Sequence, residues 1–308
     1  LKTKGILSYL YFEDDKIIID EVSPKDRLGQ LFDDETKFRS NSMGKSLPSY
    51  ILGHAICEGY IDSVDSKIND WNLVKDTLYE NHKLIDLLNM ASGDQKYAYD
   101  SQTLKKNDLS FIHQSNGNLD DYNIQKIMNI WFKNKKPSTE RFYNYNVLNT
   151  HLIFNYILFK TGDDDFQKLL DKVFREKAKI RDIVYFYKFS SHVDTSKKGN
   201  AHSMFYATRY DYLRIAKAIM DDYQNDTCVG KYLKEIHERR IKKNIPKGDE
   251  PGFNFSYSYG GQFHMDYPGL KNRVVFGLGG FGGQAILIDV ENSRIVVLNS
   301  LHYNNKKF

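Results

Sequence analysis

Ser42 and Lys45 stand three residues apart in "NSMGKS", the only S-x-x-K of the chain, just before the apolar run "YILGHAICEGYI". A serine hydroxyl is a weak nucleophile and needs a base. A lysine amine on the same helical face can be that base if burial or cationic neighbours keep it neutral. The same serine at a helix start also reads as a cap for an orphan backbone N–H. On this fragment alone the cap is the favoured reading, and what raises the catalytic one is the rest of the chain; the positive end of the helix would then add to the stabilisation of an oxyanion forming on a carbonyl attacked by Ser42.

Two further stretches carry candidate groups. "FYNYNVLNTHLI" (142–153) offers Tyr145, with Thr150 five residues on, and Tyr143 as a competing register without that threonine. Among 22 tyrosines most are packing residues, so either gains meaning only from its neighbours. "GLGGFGG" (277–283) reads first as hairpin glycines, and a bare backbone there would also let a substrate carbonyl approach.

Other patterns carry less. "SSHVD" (190–194) places Ser, His and Asp side by side, where their side chains diverge, and reads as a loop. "GGQ" at 260–262 and 282–284 lies in hairpin context. "IHERRIKKNIPK" (236–247) reads as a solvated helix end and loop. The histidines show no H-x-H or H-E-x-x-H spacing and no phosphate loop follows a strand, so no metal, cofactor or nucleotide is expected.

The elements that must position these groups follow from periodicity. "ILSYLYFEDDKIIIDEV" is a hairpin about Glu13–Asp15, and the Ser42 helix follows. From about residue 76 to 189 the pattern is helical, with "HKLIDLLNMASG" ending at Gly93, then "NIQKIMNIWFKN" and "NTHLIFNYILF". "ATRYDYLRIAKAIMDDY" is a further amphipathic helix. "GQFHMDY", "RVVFGLG", "QAILIDV" and "RIVVLNSL" then read as strands. Strands at both ends with helices between predict an α/β (α+β) fold. Its antiparallel sheet is built from both termini (1–75 and 190–308), with an inserted helical domain (76–189) and a cleft at the junction. Pro48, three residues past Lys45, predicts a loosened or kinked helix.

At 308 residues with 41% hydrophobic and 27% charged residues, the composition is that of a globular protein. A net charge of +4 gives no case for nucleic acid, and no apolar stretch is long enough to span a membrane. Cys57 and Cys228 are too few for a disulfide framework, and Cys57, in an apolar helical stretch, reads as a buried thiol. The start without methionine reads as a mature or trimmed form, with a periplasmic or cell-envelope location favoured and the cytoplasm open.

Four stretches in order resemble the serine β-lactamase and penicillin-binding-protein superfamily, in its class C and esterase or 6-aminohexanoate-dimer-hydrolase-like branches. Residues 37–68, with Ser42, Lys45, Glu58-Gly59 and Asp65, look like the nucleophile helix. "IDLLNMASG" (85–93) is similar to the family's "LLTMTSG". Residues 142–153 resemble the second motif, and 277–298 resemble the third-motif hairpin. The resemblance implies a β-lactamase-like fold and an acyl-enzyme mechanism on a small ester or amide. Ser42 would be the nucleophile, Lys45 the base and Tyr145 the proton carrier to the leaving group, with the N–H groups of Ser42 and Gly279 as oxyanion hole. A β-lactamase or D-Ala-D-Ala peptidase, and a catalytically inactive binding protein on the same fold, are the alternatives. Two departures bear on substrate: Val147 replaces the second motif's third-position Asn or Ser, and Val274-Val275-Phe276 replace the third motif's Lys or His with its Thr. Arg273 is the nearest charge in sequence.

Overall fold

A computed structural model describes residues 5–95, 124–181, 205–243, 256–270 and 272–301. The chain opens with strands β1 (Ile6–Glu13) and β2 (Lys16–Val22). Asp14 and Asp15 turn between them at φ 47° and 61°, a left-handed conformation that aspartate tolerates better than most residues. Late in the chain come β5 (Ile241–Lys242), β6 (Ser258–Gly260), β7 (Phe263–Met265), β8 (Val275–Gly280), β9 (Gln284–Asp289) and β10 (Arg294–Ser300). They join the first two in one antiparallel sheet of order β2-β1-β10-β9-β8-β7-β6-β5. The ends of the chain meet where β1 pairs β10, from Ile6 opposite Ser300 to Glu13 opposite Arg294. A two-stranded pair, β3 (Phe38–Arg39) and β4 (Tyr206–Ala207), lies apart from it.

Six helices carry the rest of the described chain: α1 (Ser46–Cys57), α2 (Leu84–Leu88), α3 (Ile124–Ile127, continued by a π turn to Phe132), α4 (Val147–Leu170, broken at Gly162 with φ 73°), α5 (Arg209–Gln224) and α6 (Cys228–Glu238). On α1 every residue from Ser46 to Ala55 is buried, as expected of a helix apolar on all sides. It packs against α4 and α6, while α5 covers β9 and β10. On α1, Ser49 Oγ shares a 2.8 Å hydrogen bond with Tyr232 and Tyr50 donates to Asp222 at 2.6 Å, while the buried His54 Nε2 stands 4.0 Å from Asp222 with no hydrogen-bond partner among the described residues.

Two expectations change here. Cys57 is not a thiol: it is disulfide-bonded to Cys228, Cα–Cα 5.9 Å, tying the end of α1 to the start of α6. The two cysteines are 171 residues apart, so only the packing of α6 on α1 brings them together. Pro48 does not kink an established helix. Asn41–Lys45 forms a 3₁₀ turn and α1 begins at Ser46, so the proline falls in the first helical turn, where the missing N–H has no intrahelical partner to lose. Among the described residues no helix is long and apolar enough to cross a membrane.

Candidate active site

The 3₁₀ turn decides the first geometry. Side chains at i and i+3 eclipse in a 3₁₀ helix, and here those positions are Ser42 and Lys45. Lys45 is 8% exposed and its Nζ lies 2.8 Å from Ser42 Oγ. Ser42 is thus not a cap of α1; its hydroxyl is engaged by the lysine.

Strand β8 comes up against this turn because it is bare. A Cβ on Gly280 would stand 2.5 Å from the Ser40 carbonyl oxygen and 3.1 Å from the Met43 nitrogen. Only glycine allows that approach. Beyond it, Asn41 Nδ2 donates to the Phe281 carbonyl at 2.8 Å, locking the β8–β9 turn to the Ser42 turn. Gly279 is the half-exposed position just before, opposite Ala285.

Tyr145 reaches the same place from the loop before α4. Lys45 Nζ sits 5.2 Å from its ring centroid, and both Tyr143 and Tyr145 are half-buried. The loop is held by a group the sequence reading missed. Asp94, fully buried, accepts from Asn144 Nδ2 at 3.0 Å, Asn146 Nδ2 at 3.1 Å and Tyr79 at 2.6 Å. Asn146 also caps α4, its Oδ1 accepting from the Asn149 N–H at 3.1 Å. Burial pushes the Asp94 carboxyl above its ordinary range, and the hydrogen bonds from Tyr79 and Asn144 pull the other way. Its only signal in sequence was its place just after the "ASG" stretch.

Thr150 points elsewhere: it donates to Gln262 Oε1 at 2.6 Å. Gln262, in the β6–β7 turn at φ 66°, gives its side-chain amide to the Leu87 carbonyl at 2.9 Å and accepts from Ser46 Oγ at 2.7 Å. The first "GGQ" therefore knits α1, α2 and α4 together, and the second lies in the β8–β9 turn. Arg273 pairs with Asp289. Asp65 is bound by Arg239 (3.0 Å) and Lys83 (2.9 Å), whose hydrogen bonds hold its carboxyl down at about 2. The "SSHVD" stretch lies outside the described residues.

The basic run 236–247 needs correction in part. Arg239 and Arg240 form ion pairs at its surface, but Lys243 is turned inward. Its Nζ lies 2.7 Å from His264 Nδ1 and donates to Ser256 Oγ. The rings of Tyr143 and Tyr259 flank it at 5.8 and 5.9 Å. The rings of Tyr259, Tyr145 and Tyr143 lie against one another, so two rings separate this second lysine from the first. Among the described residues no group of three or more His, Cys, Asp or Glu side chains could hold a metal.

No protein-family profile matches the chain, and no curated protein is similar to it in sequence. Solved structures are similar to it in shape. A penicillin-binding protein from Bacillus halodurans is 12% identical, with a TM-score of 0.64 over 96% of this chain and 92% of the other. A D-stereospecific amidohydrolase from Streptomyces sp. is 12% identical, with a TM-score of 0.66 over 97% and 90%. A class C β-lactamase from Rhodobacter sphaeroides is 14% identical, with a TM-score of 0.58 over 98% and 91%. With a large antiparallel sheet closed by both ends of the chain and a buried helix behind the Ser42 turn, the chain has the fold of β-lactamases and penicillin-binding proteins.

Proposed function

We propose that the protein is a serine hydrolase acting on an ester or amide bond through an acyl-enzyme. The observation that carries this reading is the 2.8 Å contact between Lys45 Nζ and Ser42 Oγ. Such a distance suits proton transfer from a nucleophile to its base. Ser42 Oγ attacks the carbonyl carbon while Lys45 takes its proton. The N–H groups of Ser42 and Gly279 receive the oxyanion, where one lost donor costs about 2.7–4 kcal/mol. The carbon–oxygen or carbon–nitrogen bond breaks, Tyr145 passing a proton to the leaving group. Water then releases the acyl group by the same steps in reverse order.

The position of Lys45 over Tyr145, rather than over Tyr143, supports the register chosen for the tyrosine. An esterase or amidase is favoured over a β-lactamase or D-Ala-D-Ala peptidase, because β8 presents Val275, Phe276 and Gly277 with no basic or hydroxyl side chain. The helical part, residues 76–189, would form the far wall of the cleft against a sheet part of residues 1–75 and 190–308. The Cys57–Cys228 disulfide supports an oxidising compartment such as the periplasm or cell envelope.

A fluorophosphonate probe followed by mass spectrometry tests the reading. Expected is one adduct, on Ser42, absent in Ser42→Ala, together with faster turnover of p-nitrophenyl butyrate than of nitrocefin. Labelling elsewhere, or none, would leave a binding protein on this fold as the better account.

A further inference from the structure

Asn41, the residue before Ser42, meets two demands that few side chains satisfy together. Its backbone is left-handed, with φ 49°, a region that glycine, asparagine and aspartate enter easily and that is costly for most other residues. Its side-chain Nδ2 also donates to the Phe281 carbonyl at 2.8 Å, 240 residues away in the chain. Glycine would keep the conformation and lose the donor. Aspartate would keep the conformation and set a second acceptor against the carbonyl.

The turn that Asn41 holds has little of its own to fix it. Gly282 and Gly283 stand at φ 86° and 92°, and neither has a side chain to pack. Toward β10 the turn is tied by Ser300 Oγ, which donates to the Gly282 carbonyl, and by Gln284 Nε2, which donates to the Ser300 carbonyl. Toward the Ser42 turn it is tied by Asn41. The Ser42 turn is anchored on its far side as well. The Ser40 N–H donates to the Phe205 carbonyl at 2.8 Å, and Ser40 Oγ accepts from the Phe205 N–H at 3.1 Å. Asn41 thus joins two segments that are each fixed elsewhere.

We infer that Asn41 is a positioning residue: its hydrogen bond to Phe281 sets the separation of the Ser42 and Gly279 N–H groups, and so the fit of the site to a tetrahedral oxyanion. This rests on the hydrolase reading and deepens it. Asn41 adjoins Ser42 and Phe281 lies two residues beyond Gly279, so the bond spans the gap between the two segments that carry the donors. Gly280 limits how closely those segments approach, because its bare backbone lies against the Ser40 carbonyl and the Met43 nitrogen. Asn41 limits how far they part.

The demand on that separation comes from the reaction. Oxyanion donors act at about 2.7–3.1 Å from the place the charged oxygen takes, and a misplacement of about 1 Å costs on the order of a hundredfold. The full charge exists only once Ser42 has attacked, so a loosened junction weakens the transition state more than the bound substrate. A residue that merely stabilised the fold would show no such difference.

The test uses Asn41→Gly, which keeps the left-handed backbone and removes only the amide. Two readouts are compared with the native protein: turnover of p-nitrophenyl butyrate, and inhibition by propylboronic acid. In the boronate adduct Ser42 Oγ bonds to boron, its proton passes to Lys45, and a boron hydroxyl takes the place of the oxyanion. Expected is a fall in kcat of roughly ten- to a hundredfold with KM little changed, and a rise in the boronate Ki by a similar factor. Asn41→Asp should do no better at pH 8, where its carboxylate can only accept. Native kcat and Ki in Asn41→Gly overturn the inference and leave the hydrolase intact. So does activity restored in Asn41→Asp, or a loss of turnover with the boronate Ki unmoved, which would mark a general loosening of the fold. If the native protein turns over no ester and takes no boronate, the hydrolase reading fails and this inference with it.

Discussion

The Asp94 carboxylate accepts the Asn146 side-chain amide at 3.1 Å, and it holds Asn144 as well, so the residues on either side of Tyr145 hang from one buried acid. A tyrosine on a loop would otherwise sample several positions, and the proton relay proposed here needs only one.

Asp94→Asn should therefore harm turnover more than binding. Replacing the shared acceptor by an amide turns one accepting oxygen into a donor that faces Asn144, Asn146 and Tyr79. We expect kcat to fall roughly ten- to a hundredfold with KM changed little, since a misplacement of about 1 Å costs on that order. The control is the Tyr145→Phe background. There Asp94→Asn should cost much less, whereas an undiminished loss would mean that Asp94 acts through general stability.

Lys45 and Tyr145 are expected to work as one unit. Removing either then costs nearly as much as removing both, because groups that hand on one proton are not additive. Lys45→Ala, Tyr145→Phe and the double variant, compared on p-nitrophenyl butyrate, decide this. Independent losses that multiply, or a larger effect from Tyr143→Phe, would move the relay to another residue.

The disulfide makes a prediction about stability. Cys57 and Cys228 close a loop of 171 residues in sequence, and cross-links over long loops restrict the unfolded chain most. The variant with serine at both positions should lose roughly 2–5 kcal/mol by denaturant unfolding. Reductant should lower the midpoint of the native protein and leave that of the variant unchanged; a midpoint indifferent to reductant would contradict the pairing.

His54, on α1 with Asp222 4.0 Å away and its ring edge-on to Tyr50, gives a pH dependence. Burial lowers it to about 4, and Asp222 opposes that shift without overcoming it. The folded value lies below the ordinary 6.5, so the folded state prefers neutral imidazole. Its contribution is complete above pH 6.5 and is lost as pH falls toward 4. The linked change is on the order of 3 kcal/mol. Unfolding midpoints measured from pH 7 to 4 should decline steeply in the native protein and less in His54→Gln. Parallel curves would assign the acid sensitivity to other groups.

The parts legible in sequence are those fixed by neighbours along the chain. The hairpin about Asp14 and Asp15, the strands of the C-terminal third and the buried helix after Lys45 all declare themselves through local periodicity. So does the Ser42–Lys45 contact, because a spacing of three residues places both side chains together in any tight helical turn. Tertiary structure alone decided what depends on distant segments. Asp94 meets Asn146 across 52 residues, Lys243 meets His264 across β6 and β7, and Cys57 meets Cys228 across most of the chain. None of these pairs shares a period or motif. An inward lysine and a solvated one look alike in "RRIKKN", and only the strand that follows turns Lys243 toward the tyrosines. Local pattern sets which elements form; burial and pairing between remote elements set which of their polar residues face one another.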